Sequence, residues 1–295
     1  MKGQDMAVQI NQLHPRFFGE IVGLNTANPD EDLVKTVNDA MAQYAVCVIR
    51  DASLSDEDHI RFSRAFGPLE LPPGRAKRIA KEIYDIGNLD ENGEIAPPSP
   101  FQAADFEKFH TDSPFNSSPT KWSLLLAYDP PPVGANTEYI DMRAVYDDLS
   151  QEMKDRIDGL MVEHDMFRAL ERNGVKFENE GMRKTLPRMS HPLVRVSESG
   201  RKTLYFGWHA VAIAGWDLEE GEKLIDELYE FATQPKYIYS HKWLKGDLVI
   251  WDNRCTMHSA TDFDRLRYKR DMRRTTINEY GPEVSAIEGM GAPAG

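Results

Sequence analysis

The chain has 295 residues, 41% hydrophobic and 28% charged, which suits a soluble globule able to bury a sizeable core. A formal net charge of −13 makes nucleic acid and anionic membrane surfaces poor partners. No run approaches the ~20 apolar residues of a membrane span, no basic-then-apolar leader is seen, and two distant cysteines, Cys47 and Cys255, read as free thiols of a reducing cytoplasm.

Met1 to Ala7 reads as a loose start and Leu13 to Gly23 as a short strand pair. The spacing of Leu33, Val34, Val37 and Met41 predicts a helix over Asp30 to Gln43, with acidic residues at its positive end. Tyr44 to Arg50 is a buried strand. Ser55 opens a second helix, with Asp58 completing a capping-box variant and Gly67 as the stop. Residues 72–114 form a turn-rich segment, expected to act as a lid within one domain spanning 1–295. Trp122 to Tyr128 and Thr137 to Met142 are strands, and Ser150 caps a helix ending near Gly159.

Gly174 to Met189 is a charged insertion, and Leu204 to Trp208 a strand. Asp217 to Ala232 is an amphipathic helix with Leu224, Ile225, Leu228 and Phe231 on one face. Leu248 to Trp251 is a buried strand followed by the Asp252-Asn253 turn. Lys269 to Ile277 is a last strand, and 285–295 a frayed tail. Strands dominate, so the expected class is mainly β with flanking helices, a cupin-like double-stranded β-helix or jelly roll.

Three residues carry the chemistry. His110-Thr111-Asp112 is an H-x-D pair, and on extended backbone its two side chains point the same way. Alone it reads equally as a surface His beside a capping Asp. His258, after the 248–251 strand, supplies a third ligand candidate. Two imidazoles and one carboxylate hold a non-haem Fe(II) on one face and leave open positions for oxygen and substrate. A closed set of four Cys or His would indicate structural zinc instead, and a zinc hydrolase shares the three ligand types.

Arg270, Met272 and Arg274 share one face of the last strand, and Arg273 points away. Two inward guanidiniums in an acidic protein require anions, and their planar forks suit carboxylates. Salt bridges to the chain's own acids are the alternative. His209 after a strand is a candidate for the substrate pocket or a structural histidine, and Asn88 serves equally as pocket or turn residue.

These stretches together resemble the Fe(II)/2-oxoglutarate-dependent dioxygenases of the taurine and 2,4-dichlorophenoxyacetate dioxygenase group. The resemblance runs from Phe17-Phe18-Gly19-Glu20 to about Thr276. It includes Phe62-Ser63-Arg64-Ala65-Phe66-Gly67-Pro68-Leu69, Phe109-His110-Thr111-Asp112-Ser113 and Trp251-Asp252-Asn253-Arg254 with His258. Ile83 to Leu89, Asp141-Met142-Arg143-Ala144 and Thr233 to Tyr239 are most similar to the herbicide-degrading branch.

The resemblance implies that His110, Asp112 and His258 ligate Fe(II), and that Thr137 and Arg270 hold 2-oxoglutarate. It implies that Arg274 binds the anionic group of the substrate. O2 is the oxidant, and succinate and CO2 are the coproducts. An aryloxyacetate hydroxylated beside its ether oxygen would collapse to a phenol and glyoxylate. A taurine-type sulfonate or alkyl sulfate dioxygenase is the second reading, and a metal- or 2-oxoglutarate-binding sensor the third. The expected partner is a small carboxylate or sulfonate, with self-association left open. Two departures stand out: Gly134-Ala135-Asn136-Thr137 replaces the usual G-G-D-T, and Phe109 stands where Trp is common.

Overall fold

The computed structural model describes residues 8–72, 78–97, 108–174, 188–282 and 284–285. First come β1 (Gln9–Gln12), β2 (Gly19–Val22), α1 (Glu31–Tyr44), β3 (Val46–Ile49), α2 (Asp56–Arg64), β4 (Leu69–Leu71) and β5 (Tyr84–Asp85). The middle carries β6 (Thr120–Asp129), β7 (Thr137–Asp141), α3 (Met142–Asp148), α4 (Gln151–Ile157), β8 (Met161–His164) and α5 (Met166–Arg172). Four short strands follow: β9 (Met189–Pro192), β10 (Val194–Val196), β11 (Lys202–Leu204) and β12 (Ala210–Ile213). The chain ends with α6 (Leu218–Ala232), β13 (Ile238–His241), β14 (Leu248–Asp252), β15 (Thr256–Ala260), β16 (Asp271–Asn278) and β17 (Val284–Ser285).

The helices begin where the capping chemistry predicts. The Asp30 carboxylate accepts from the Leu33 amide and the Ser55 hydroxyl from the Asp58 amide. Acidic residues fill both first turns, where the unpaired amides carry partial positive charge. Asp217 caps α6 in the same way.

A main sheet runs in the order β1-β2-β3-β14-β6-β16-β4-β17, with β5 also paired to β16. A smaller sheet, β13-β7-β15, packs against it. Side chains alternate across each strand, so each sheet serves two cores. On β14, Leu248 and Ile250 join Leu124, Leu126, Val37 of α1 and Phe62 of α2. Val249 and Trp251 face the other way and meet Leu125, Met272 and Tyr139 of the smaller sheet. Ile140 and Met257, on the outer face of that sheet, pack with Val145 of α3 and Leu224 and Leu228 of α6. The layers are helix, sheet, sheet, helix, as expected for a jelly roll with helices outside.

Several boundaries differ from expectation. The first strand of the N-terminal pair is Gln9–Gln12, and Leu13 to Phe18 connects it to β2. The strand expected to reach Met142 stops at Asp141, whose carboxylate accepts from the Arg143 amide and starts α3. Capping by Asp165 starts α5, which periodicity did not reveal. Leu204 to Trp208 is not one strand. β11 ends at Leu204 because the chain then passes against the first ligand segment: a Cβ on Gly207 would lie 2.9 Å from the His110 Cα, and the Trp208 amide donates to the Phe109 carbonyl.

Within the expected lid at 72–114, residues 73–77 and 98–107 lie outside the described residues. So do 1–7, Phe101, 175–187 of the charged insertion, and 286–295 of the tail. Among the described residues, no helix is long and apolar enough to cross a membrane.

Candidate active site

His258 stands on the inner face of β15, opposite Tyr139 of β7. His110 lies beside it through an isolated backbone bridge. The His110 amide donates to the His258 carbonyl at 3.0 Å, and the His258 amide returns a bond to the His110 carbonyl at 2.8 Å. Asp112 follows two residues on and faces the same cavity. One ligand atom from each of His110, Asp112 and His258 lies within 4.8 Å of the others.

The protonation states favour coordination. His110 Nδ1 sits 2.7 Å from the Lys108 carbonyl, a contact that fixes the orientation of the ring. Burial, then the neighbouring His110, pushes the His258 imidazole well below its ordinary value, so it is neutral. Burial pushes the Asp112 carboxyl up, but the Arg274 guanidinium and the Ser123 hydroxyl bond outweigh it and hold the group well below the carboxylate range. Two imidazoles and one carboxylate make a donor set for a borderline divalent metal.

Hydrogen bonds from Ser123 and Asn253 fix that carboxylate. The Ser123 hydroxyl donates to Asp112 Oδ2 at 2.6 Å, and Asn253 Nδ2 donates to Ser123 Oγ at 3.0 Å. Asn253 Oδ1 accepts from the Asp112 amide at 3.0 Å and from Trp251 Nε1 at 3.1 Å. The Thr111 hydroxyl donates to the Asn253 carbonyl at 2.7 Å. Sequence reasoning gave Asn253 only a turn role and missed Ser123. The signal for Ser123 was a lone serine within the largely apolar run Trp122 to Tyr128.

His110, Asp112, His258, Thr137, Arg270 and Arg274 line one cavity of about 150 Å³. Ile86, Leu125, Trp251 and Ala260 complete its wall. The Thr137 hydroxyl accepts from Trp243 Nε1 at 3.0 Å, which directs its own hydrogen elsewhere. Arg270 is 5% exposed and donates to the Ile86 carbonyl. Burial, then Arg265, lowers it to about 10, and the counter-effect comes from Tyr139 rather than from a carboxylate. A buried guanidinium in that state fits an anionic ligand. Arg274 bonds Asp112 Oδ1 and lies 4.8 Å above the Tyr84 ring. The Tyr84 hydroxyl donates to Glu70, a fully buried carboxylate that also accepts from Ser113 at 2.9 Å and Asn116 at 3.0 Å. Sequence reasoning missed this support for Arg274.

The two remaining candidates lie outside the cavity wall. Asn88 Nδ2 donates to the Arg265 and Tyr268 carbonyls at 2.8 and 2.9 Å, and its Oδ1 accepts from the Arg270 amide at 2.7 Å. Its side chain is therefore committed to the turn that presents Arg270. The buried His209 ring lies 5.8 Å from the His110 ring and 5.2 Å from Phe115. Arg273, expected to point away, pairs with Asp56 at 2.6 Å and Asp271 at 3.3 Å.

Comparison with known proteins agrees with this geometry. The model of the family described as "Taurine catabolism dioxygenase TauD, TfdA family" matches residues 9–276. An alpha-ketoglutarate-dependent 2,4-dichlorophenoxyacetate dioxygenase from Burkholderia sp. (strain RASC) is 38% identical, covering 92% of this chain and 94% of its own. An (S)-phenoxypropionate/alpha-ketoglutarate-dioxygenase from Sphingobium herbicidovorans is 33% identical, covering 92% and 95%. The crystal structure of AAD-2 in complex with Mn(II) and N-oxalylglycine superposes with a TM-score of 0.86 at 36% identity, covering 94% of this chain and 99% of that one.

Proposed function

The chain belongs to the TauD/TfdA family of Fe(II)- and 2-oxoglutarate-dependent dioxygenases, and from that premise we propose that it hydroxylates an aryloxyalkanoate with cleavage of the ether. The observation that carries the reading is the convergence of a His-Asp-His triad and two inward arginines on one cavity. The substrate class rests on the names of the 2,4-dichlorophenoxyacetate and phenoxypropionate relatives.

His110, Asp112 and His258 hold the iron, and Ser123 and Asn253 keep the carboxylate aligned. Arg270 and the Thr137 hydroxyl bind the distal carboxylate of 2-oxoglutarate. When bound, iron, O2 and 2-oxoglutarate supply the oxidising power that converts a C–H bond to C–OH, with succinate and CO2 as coproducts. Arg274 leaves Asp112 for the carboxylate of the substrate, and the Tyr84 ring keeps its guanidinium in plane. That anchor sets the CH2 or CH beside the ether oxygen towards the triad. Leu125 and Trp251 line the cavity and keep water from the reacting carbon. With an aryloxyacetate the hydroxylated carbon is a hemiacetal, which expels the phenol and leaves glyoxylate; with a 2-aryloxypropionate it is a hemiketal, which expels the phenol and leaves pyruvate. A cytoplasmic setting suits the two buried free thiols.

The test is aerobic turnover with Fe(II), ascorbate and 2-oxoglutarate against aryloxyacetates, phenoxypropionates, alkyl sulfonates and alkyl sulfates. Phenol release matched by succinate supports the proposal. Succinate formation driven by sulfonates or sulfates alone would transfer the protein to the second reading. Failure to consume 2-oxoglutarate with any of them would remove the proposal.

A further inference from the structure

We infer that Asn88 is a positioning residue for the cosubstrate: it fixes the loop that carries Arg270 and so gives the site its preference for a keto acid with a second carboxylate. The inference rests on the proposed function and adds to it a residue that touches no ligand.

Arg270 ends the loop between β15 and β16. A loop off the sheet opens at low free energy unless other bonds tie it. The first half of this one is tied to the segment that leads into Thr137. The Thr261 amide donates to the Asn136 carbonyl at 2.8 Å, and the Asn136 amide donates to the Thr261 hydroxyl at 2.9 Å. The Ala135 amide donates to the Asp262 carbonyl at 3.2 Å. The second half is tied to the chain that follows β5. There the Ile86 amide donates to the Met272 carbonyl at 2.9 Å and the Asn88 amide to the Arg270 carbonyl at 3.1 Å. A Cβ on Gly87 would lie 2.4 Å from that Arg270 carbonyl, so the two backbones are in direct contact.

The Asn88 side chain closes the clamp. Its Nδ2 donates to the Arg265 and Tyr268 carbonyls at 2.8 and 2.9 Å, and its Oδ1 accepts from the Arg270 amide at 2.7 Å. Two carbonyls at one end and an amide at the other fix which way the carboxamide points. One residue thus grips Arg270 by both its amide and its carbonyl. The guanidinium of Arg270 donates to the Ile86 carbonyl, so the same short segment steadies both ends of that arginine. Both hydrogens of Nδ2 are committed, which leaves Asn88 no donor for a ligand. Its effect passes through Arg270. A guanidinium is a rigid fork, and it meets a carboxylate with two bonds only when its backbone is correctly placed. Without the carboxamide, two carbonyls and one amide of a half-buried loop lose their partners, and the loop must resettle to satisfy them.

The experiment compares two keto acids in calorimetric titrations of the zinc-loaded parent and N88A, with zinc replacing iron so that no turnover occurs. The first is 2-oxoglutarate. The second is 2-oxopentanoate, which has the same carbon chain and a methyl end in place of the distal carboxylate. Both offer the same keto and carboxylate oxygens to the metal, so the ratio of their Kd values isolates the grip of Arg270. The parent is expected to prefer 2-oxoglutarate, and in N88A that preference is expected to shrink about tenfold or more, the scale of one bond to a charged group. The Kd for 2-oxopentanoate and the zinc affinity are expected to stay within about threefold of the parent. An Asn88 that merely supports the fold would lower the melting temperature and leave the ratio alone. An unchanged ratio, including equal weakening of both acids, overturns the inference while the proposed function stands. A parent that binds neither keto acid overturns both. If N88A does not accumulate, the milder Asn88→Ser is titrated in the same way, and an unchanged ratio there overturns the inference.

Discussion

Replacing Arg270 by methionine is expected to make the ligand-free protein more stable while abolishing cosubstrate binding. The guanidinium is 5% exposed and lowered to about 10, chiefly by burial. The fall from the ordinary arginine value corresponds to roughly 3 kcal/mol of lost charge stabilisation. Methionine fills similar apolar space without that penalty. It forfeits the bond to the Ile86 carbonyl, worth about 1 kcal/mol, which leaves a gain of about 2 kcal/mol. At ~2 °C or more per kcal/mol for a chain of this size, the melting temperature rises by about 4 °C. The same change removes the charge-assisted bonds to the keto acid, each worth about 1.5–3 kcal/mol, so affinity for 2-oxoglutarate falls at least about a hundredfold. Thermal melts of the zinc form with and without 2-oxoglutarate, and calorimetric titration, read both effects. An Arg270→Met protein that melts below the parent, or binds the keto acid within threefold of it, would refute the assignment of Arg270 as a charge held in waiting.

Arg274→Gln is expected to raise KM for an aryloxyacetate by about ten- to a hundredfold while leaving the Kd for 2-oxoglutarate within threefold, because it removes one charged anchor. Steady-state kinetics and titration separate the two. Gly207→Ala adds a Cβ 2.9 Å from the His110 Cα and 3.2 Å from the Thr111 nitrogen, backbone atoms that cannot rotate aside. It is expected to displace the first ligand and weaken zinc affinity about tenfold or more, read by competition with a chelating dye. The buried His59 ring is lowered to about 4, mainly by desolvation, so the unfolded chain binds a proton that the folded chain refuses. Its stabilising contribution is present above about pH 6.5 and is lost as pH falls towards 4, an effect of about 3 kcal/mol. Melting temperatures of parent and His59→Gln across that range check the sign: the variant shows the shallower acid slope.

The site was legible where chemistry is written in residue type. His110, Asp112 and His258 have the ligand set for one metal, Arg270 and Arg274 were read as inward-facing neighbours, and all five line one cavity. The strands at β3, β6 and β14 and the caps at Ser55 and Ser150 were visible for the same reason. What escaped depends on contacts between distant segments. Asn88 is polar and near the mouth in sequence, yet its amide is consumed by backbone around residue 265 to 270. Tyr205 to Trp208 has strand composition, but Gly207 is pressed against His110 and the ladder cannot continue. The Tyr84–Glu70 support of Arg274 joins three strands, and no local spacing encodes it.

The reciprocal amide bonds between His110 and His258 join two halves of the polypeptide before any cation arrives. The entropy of closing that long loop is spent during folding, so capture of the ion demands little further ordering. Withdrawal and return of the metal, or its exchange for a spectroscopic substitute, is therefore expected to leave the two ligand segments joined through their main chains.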